Sequence, residues 1–592
     1  VIRSEIMKLL LDSKFNKIIE KLLIILLFFF IIILLIWRFQ LGISRYFDID
    51  EFAYLRWTHN ILIGLKPYSD FFFLLPPTFL CMLSPLFLIF PNNENIILLA
   101  RGFSFIFFFL TAVLLFLLTK KVRNFKTALF ALFIFVFLPI PSDKWLEIRP
   151  DIPALFFTLL GIYFLINGIM EKKAKKLFLS GMFYGIGVII IQKTLFLLLF
   201  AFLIVLIWQF FLITPLPGLI RKFSFKTIIN LPICYLILGL ILPIIFLLIS
   251  FIPYGDFRGV FYFLTALPSF VTSTLGSKFP IPPEYYFYSS DILYGKFGYN
   301  LPWITNIFVW VVASLWLFYK FISSFFNKNK VSGLVEILLS GSFIVSLIIY
   351  VWFFPLHHEQ YLLPLSIFIA FYAGDIIYRF YRFGAFGKII VLFFIIIIFF
   401  GGKEMYDIKL SWSDQGFSYY KNLYNKFSSN EAVFDLTGET IFTKEGYYFC
   451  CLPYGSFAES LGFSLPLLSN SLKNNKVKYI YIKNEGRLFE LPPHHQDFIR
   501  MYYTYEPNIK LNSYLILGNT IYFEGGEQKE INILLDGEYK IYWNNSLAGT
   551  ELFNGEIIID GKNISESFIF LTAGKHIIST YLPGEIKIII KS

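Results

Sequence analysis

Several stretches of this chain run for about 20 residues with hardly a charge, Ile18–Trp37 and Thr194–Ile213 among them. As helices, runs of that length cross the ~30 Å hydrocarbon layer of a bilayer. A soluble fold must wet its outside, and 592 residues that are 57% hydrophobic and 15% charged cannot do so. The chain therefore reads as a polytopic α-helical membrane protein. Its first apolar run follows a basic flank and lacks a small-residue cleavage site, which is the pattern of a retained signal anchor.

The net charge of +11 would suit a nucleic-acid partner if the basic residues formed one patch. They fall instead into short segments between apolar runs, where positive-inside sorting places them, so no nucleic acid is expected. Four cysteines are too few for a disulfide framework. Cys81 and Cys234 lie in apolar stretches, and adjacent Cys450 and Cys451 could form only a strained vicinal ring. All four read as structural.

Charge also sets the topology. Arg3, Lys8, Lys14, Lys17 and Lys21 assign the N-terminal flank to the cytoplasm, so a first helix over 18–37 delivers the chain outside. The apolar segment 76–90 is broken by Pro76, Pro77 and Pro85. Were it to span, the basic loops Lys120–Lys126 and Lys172–Lys176 would fall outside; read as interfacial or re-entrant, it leaves both inside. Further helices are expected at 97–119, 127–141, 152–170, 177–191, 194–213, 228–252, 302–321, 333–354, 361–379 and 388–402, about eleven in all. Arg221–Lys226, Lys320–Lys330 and Arg379–Lys388 then join the inner loops. The outer side holds loops 38–96, 142–151, 192–193, 253–301 and 355–360, and everything after 403. The expected location is the plasma (inner) membrane, with a cytoplasmic N-terminus and an extracytoplasmic C-terminal region.

Beyond 403 the texture changes. Ala432–Leu436, Lys478–Ile482 and Ser513–Leu517 read as strands, with helical patterns over 415–428 and 495–505. From 528 short apolar runs are punctuated by Asp536-Gly537, Asn554-Gly555, Asp560-Gly561 and Ala573-Gly574, the turn chemistry of hairpins. The expected domains are a transmembrane domain 1–402, an extracytoplasmic α/β domain 403–527 and a small β-sandwich-like domain 528–592.

Asp48, Asp50 and Glu51 stand directly after the first membrane helix. Acids there are costly without work or partners, and pairing with Arg45 or Arg56 is the structural alternative to a catalytic role. The string Asp50-Glu51-x-x-Tyr54, then Gly64-x-x-Pro67-Tyr68-x-Asp70-Phe71 and Pro76-Pro77, is followed by Arg101 and by Glu147-x-Arg149-Pro150-Asp151. This ordered set resembles the first outer loops of glycosyltransferases of the GT-C type. It is most similar to the protein O-mannosyltransferase and aminoarabinose transferase superfamily. The likeness covers roughly the first 200 residues; the remaining helices match by architecture only.

The resemblance implies an inverting glycosyltransferase that takes a sugar, a hexose or pentose, from a polyprenyl-phosphate donor. The acceptor is a protein, lipid or glycan on the outer side of the membrane. In that setting a carboxylate serves as general base toward the acceptor hydroxyl, and cations receive the departing phosphate. Asp50 matches the family's catalytic carboxylate. Glu51 stands beside it, as a supporting acid or a simple charge partner. Asp151 matches the acid of the second outer loop or, alternatively, is the N-cap of its helix. Arg149 would bind phosphate or pair with Glu147. Lys193, in a tight outer turn, would bind phosphate or snorkel, and the same choice applies to Arg101. In the His357-His358-Glu359-Gln360-Tyr361 cluster, His358 and Tyr361 are candidates for donor contacts; adjacent histidines point in different directions on a helix and are poorly placed to share a metal. No cofactor is certain, and a divalent metal (Mg or Mn) is left open.

No Walker loop or His-Glu-x-x-His appears, and no tryptophan-rich oligosaccharyltransferase motif is evident in the tail. Two other classes compete. A secondary transporter or flippase for lipid-linked glycans would place ionisable residues near the midplane and show repeats. A non-catalytic glycan-binding membrane scaffold would use the tail alone.

Overall fold

The computed structural model describes residues 13–210, 231–252, 257–278, 280–411, 416–427, 429–458, 461, 463–483, 485–506, 514–545, 549–552, 557–564 and 566–591. They form two units: 1–46, 75–90 and 95–415 in the first, and 47–74, 91–94 and 416–592 in the second. The loop expected over 38–96 is thus divided, most of it belonging with the C-terminal region.

In chain order the helices are α1 (Ser13–Ser44), α2 (Ile49–Leu62, in the second unit), α3 (Thr78–Ile89), α4 (Ile96–Val122), α5 (Phe125–Phe137), α6 (Asp151–Glu171), α7 (Ala174–Ile190), α8 (Leu195–Trp208), α9 (Pro232–Phe251), α10 (Phe257–Leu264) and α11 (Ala266–Lys278). There follow α12 (Leu301–Phe325), α13 (Lys330–Leu347), α14 (Leu363–Tyr381) and α15 (Gly384–Ser411). The second unit adds α16 (Gly416–Lys426) and α17 (Pro493–Tyr502).

Among the described residues nine helical stretches are long and apolar enough to cross a membrane. Eight coincide with expected spans. The other three expected spans are short: α5 has 13 residues, α7 has 17 and α8 has 14. The expected helices over 194–213 and 228–252 run partly outside the described residues, as does the basic loop Arg221–Lys226. The ninth stretch, Gly259–Ser277, lies where a loop was expected. Its mean hydropathy is the lowest of the nine, 1.3, which is why it reads as loop in the sequence. At 12 residues α3 rises only about 18 Å, too little to span, as its prolines lead one to expect.

Packing in the first unit follows membrane rules, in which small residues let backbones approach. A Cβ on Gly181 would strike the backbone of Leu236, and one on Gly239 the backbone of Phe178, so α7 and α9 cross at these glycines. Ion pairs sort the loops to the two ends of the bundle. At one end Glu171 meets Lys121 (3.3 Å), Lys173 (3.1 Å) and Lys176 (2.6 Å), while Glu20 meets Lys126 and Lys388. These are the segments that positive-inside sorting groups together. At the other end of α1, Arg45 reaches Glu147 in the loop before α6.

The second unit is strand-rich. Its strands are β1 (Ala432–Asp435), β2 (Lys444–Glu445), β3 (Tyr479–Tyr481), β4 (Tyr503–Thr504), β5 (Tyr514–Phe523), β6 (Glu527–Ile533), β7 (Gly537–Asn545), β8 (Gly549–Leu552), β9 (Ile557–Ile559), β10 (Lys562–Ile564), β11 (Phe568–Leu571), β12 (Gly574–Thr580) and β13 (Gly584–Ile590). One sheet runs β11-β7-β13-β5-β3-β1-β2, with β4 on β5 and β8 on β7; the other runs β10-β9-β12-β6. β1 pairs in parallel with β2 and β3, while β5 pairs antiparallel with β3 through Tyr514–Ile516 and with β13 through Gly518–Phe523. The large sheet therefore passes through the position 527/528 where the composition changes. Gly518 sits at the changeover, where a Cβ would strike the Ile588 carbonyl. Asp560 and Gly561, both with positive φ (50° and 78°), make the β9–β10 turn; the Asn554-Gly555 turn lies outside the described residues. Cys450 and Cys451 are bonded to each other, and Cys81 and Cys234 are not in disulfides.

α2 is held within this unit by Arg56, which is fully buried. Its guanidinium meets Glu445 at 2.7 and 3.0 Å and Asp435 at 3.3 Å. Phe72 N–H donates to the Tyr448 carbonyl at 2.8 Å, and the Tyr448 hydroxyl to the Tyr68 carbonyl at 2.7 Å.

Candidate functional site

The loop 139–150 and the starts of α6, α8 and α14 bring a set of charged side chains together at one end of the first unit. Glu147, fully buried, accepts from Arg45 at 2.8 Å, from Lys144 at 2.7 Å and from Arg149. Burial alone would raise its pKa, but Lys144, Arg45 and Arg149 hold the carboxyl well below the usual range. Asp143 pairs with Lys409 of α15 at 3.1 Å. There too burial is outweighed, by Lys409 and Arg45, and the pKa is lowered. Arg149 thus takes the Glu147 pairing that the sequence left as one of two options.

Asp151 is the first residue of α6, and Pro150 occupies the cap position without a side-chain cap bond. The buried Asp151 carboxylate forms an ion pair with Lys193 of the short turn before α8. The Lys193 ammonium also lies 4.5 Å from the centre of the Tyr361 ring. Tyr361 stacks on Tyr350 at 6.1 Å, and the Tyr350 hydroxyl donates to the Lys193 carbonyl at 2.6 Å. Asp151, Lys193, Tyr350, Gln360 and Tyr361 line a cavity of about 10 Å³, the room of about one water. Three residues singled out in the sequence, Asp151, Lys193 and Tyr361, therefore meet.

His358 is half-buried at the N-terminal side of the turn Glu359–Leu362 that leads into α14. Arg101 lies elsewhere in its chemistry: buried, it donates to the carbonyls of Gly42 (3.0 Å), Arg45 (2.9 Å) and Tyr46 (2.6 Å). A cation on the carbonyls that a helix leaves unpaired at its end is favourable.

Asp50 and Glu51 belong to the second unit. Asp48 and Glu51 form a capping box on α2: Asp48 accepts from the Asp50 N–H at 3.0 Å, and Glu51 accepts from the Asp48 N–H at 3.0 Å. In the second unit Arg56 pairs with Asp435 and Glu445, and in the first Arg45 pairs with Glu147. Asp50 is half-buried and is not a member of the capping box. It lies within electrostatic reach of Arg487, whose pKa burial lowers against the pull of Glu490 and Asp50.

Sequence reasoning missed Asp143, Lys409, Tyr350 and Arg487. Lys409 and Arg487 stand in segments with no motif, so only the folded chain reveals them. Among the described residues no group of three or more His, Cys, Asp and Glu is placed to hold a metal ion. At this bundle end Asp143, Glu147 and Asp151 each meet a cation.

Residues 75–249 match the family described as dolichyl-phosphate-mannose-protein mannosyltransferase. No curated protein sequence matches the chain. Among solved structures the fold is similar to that of ArnT from Cupriavidus metallidurans bound to undecaprenyl phosphate: 11% identity, 83% of this chain and 97% of that chain covered, TM-score 0.53. The archaeal oligosaccharyltransferase AglB from Archaeoglobus fulgidus, in complex with an inhibitory peptide and a dolichol-phosphate, is 13% identical, with 82% and 75% covered and a TM-score of 0.45. With its membrane-spanning helices, its strand-rich C-terminal region and its likeness to ArnT, the chain is a multi-pass membrane protein of the GT-C glycosyltransferase fold that resembles the protein mannosyltransferases over residues 75–249.

Proposed function

We propose that this protein is an inverting glycosyltransferase that moves a sugar from a polyprenyl-phosphate donor to a protein, lipid or glycan acceptor. The bundle end carrying Asp151 and Lys193 faces the outside in this reading, and the C-terminal region is extracytoplasmic. The observation that carries it is the Asp151–Lys193–Tyr361 cluster, a half-buried cation on a buried acid at the end of a GT-C bundle. A donor whose tail stays in the bilayer delivers its phosphate at that depth, and fixed cations there stabilise the charge that builds on it.

In the reaction the acceptor hydroxyl oxygen bonds to the anomeric carbon while the bond from that carbon to the phosphate oxygen breaks. The electron pair leaves with the phosphate, and the hydroxyl proton passes to a carboxylate. Asp50 is assigned that base role, because the capping box occupies Asp48 and Glu51. Glu51 supports it by fixing the start of α2. Lys193, positioned by Asp151, is assigned to the phosphate, with Tyr361 and His358 as neighbouring substrate contacts; Arg149 stays with Glu147, and Arg101 holds the end of α1.

The test is release of polyprenyl phosphate from a radiolabelled polyprenyl-phosphate sugar by the reconstituted protein. Wild type should release it, and Asp50→Asn should not, at equal expression and melting temperature. Normal release by that variant removes the base assignment. Uptake of the intact donor into vesicles without release would favour a flippase. Mass spectrometry of surface glycans and glycoproteins, with and without the protein, identifies the sugar and acceptor.

A further inference from the structure

At the end of the first unit that carries the lysine- and arginine-rich loops, α12, α13, α14 and the α4–α5 junction enclose a second cavity, of about 630 Å³. Four cations line it, Arg123, Lys320, Arg379 and Arg382, against two acids, Glu336 and Asp375. Both acids are taken up by one cation. Arg123 donates to both Glu336 oxygens, at 2.7 and 2.9 Å, and to Asp375 at 3.0 Å. The Tyr372 hydroxyl adds a bond to Glu336 at 2.9 Å, and the Trp316 indole N–H one to Asp375 at 2.9 Å. Lys320, Arg379 and Arg382 make no ion pair among the described residues. The Arg379 guanidinium lies 4.2 Å from the Trp316 ring centre and the Lys320 ammonium 5.4 Å from it. Trp316 is itself held by Asp375, so two of these three cations rest on a platform that the Arg123 network fixes.

Four cations against two acids leave the cavity two positive charges in excess, which calls for an anion, and the planar donors of two arginines suit phosphate oxygens. The same face of α12 that offers Lys320 and Ser324 to this cavity carries Ala313 and Val309, about two and three turns from Lys320. There it borders an apolar groove completed by Phe308, Ile377, Phe380 and Phe394. A soluble phosphate has no use for that groove, whereas a phospholipid needs both surfaces. The two sites also lie at opposite ends of α14: Tyr361, just before it, marks one, and Arg379 marks the other about 27 Å away along the axis.

We infer that this cavity is a binding site for an anionic phospholipid, with its phosphate on Lys320, Arg379 and Arg382 and an acyl chain in the groove beside α12. It is separate from the donor site proposed above and does not depend on that reading. Basic pockets between helices at the positively charged side of a membrane protein are suited to such head groups. The ligand is structural: it neutralises cations that otherwise repel one another.

Native mass spectrometry of the purified full-length chain tests this directly, with phosphatidylglycerol, phosphatidylcholine or inorganic phosphate added to the detergent solution. Wild type should retain phosphatidylglycerol at least about fivefold over phosphatidylcholine, and inorganic phosphate in excess should not displace it. Equal retention of the two lipids overturns the proposal, as does displacement by phosphate, which would point to a soluble anion. The variant R379Q/R382Q should lose the preference while melting, without added lipid, no lower than wild type; an unchanged preference overturns the proposal. Because the wild-type comparison needs no variant, a misfolded double mutant would leave that test intact.

Discussion

Lys193 pairs with Asp151 across the starts of two helices, α8 and α6, with the ammonium against the face of Tyr361. Removing one member of such a buried pair strands the other, at a cost of about 3–5 kcal/mol. Asp151→Asn and Lys193→Gln should each lower the melting temperature of the detergent-purified protein. The double variant should recover a large part of the loss. In the transfer assay Lys193→Gln should fall at least about tenfold, and the double variant should not recover, because only the stability defect is shared. Recovery of activity in the double variant would reduce the pair to packing.

The acids at the start of α2 should separate by role. Asp50→Asn should lower sugar transfer by about 10²–10⁴-fold, the range of a lost general base, with little change in melting. Asp48→Ala should lose about 1 kcal/mol of stability through the missing cap and keep most of the activity. Glu51→Gln retains an oxygen for the Asp48 N–H and should resemble wild type in both measurements. Loss of activity in Glu51→Gln at unchanged stability would move the catalytic assignment.

Arg56 holds α2 within the second unit through Glu445 and Asp435. Arg56→Met would leave both carboxylates buried without their cation, a change worth about 3–5 kcal/mol. Limited proteolysis should cut the 47–74 segment and the 429–458 region sooner than in wild type. Arg56→Met with Glu445→Gln and Asp435→Asn should restore part of the protection.

Two groups give pH dependences of opposite sign. Glu147 is held well below its ordinary value by Lys144, Arg45 and Arg149 despite its burial. Its contribution is present above the ordinary carboxylate range and is lost as pH falls toward the depressed value. His576 is the reverse: burial lowers its pKa, but the hydrogen bonds to Asp560 and the Thr572 carbonyl win and raise it above 6.5. That contribution is complete below about pH 6.5 and disappears as pH rises through the raised value. Thermal melts from pH 3 to 9 should show both, with Arg45→Met altering the acid side and His576→Gln the neutral side.

The membrane class, the short proline-broken α3 and the strands near 432, 478 and 513 follow from local pattern, since apolar length and alternation are properties of neighbouring residues. The grouping of basic loops is legible for the same reason: Glu171 and Glu20 tie together the segments that charge alone assigns to one side. Gly259–Ser277 was missed because its polar residues make it the least apolar of the nine stretches, with a mean hydropathy of 1.3.

What the sequence determined by itself is which faces must leave water, where charges may stand, and that Asp151 and Lys193 belong to turns beside apolar helices. Only the tertiary structure decided which charge answers which. Arg149 answers Glu147, Lys409 answers Asp143, and Arg56 takes carboxylates almost 400 positions away. It also decided that the 47–74 segment belongs with the C-terminal strands. The physical reason is that hydropathy acts residue by residue, whereas a buried ion must find its counter-charge wherever folding brings one within reach.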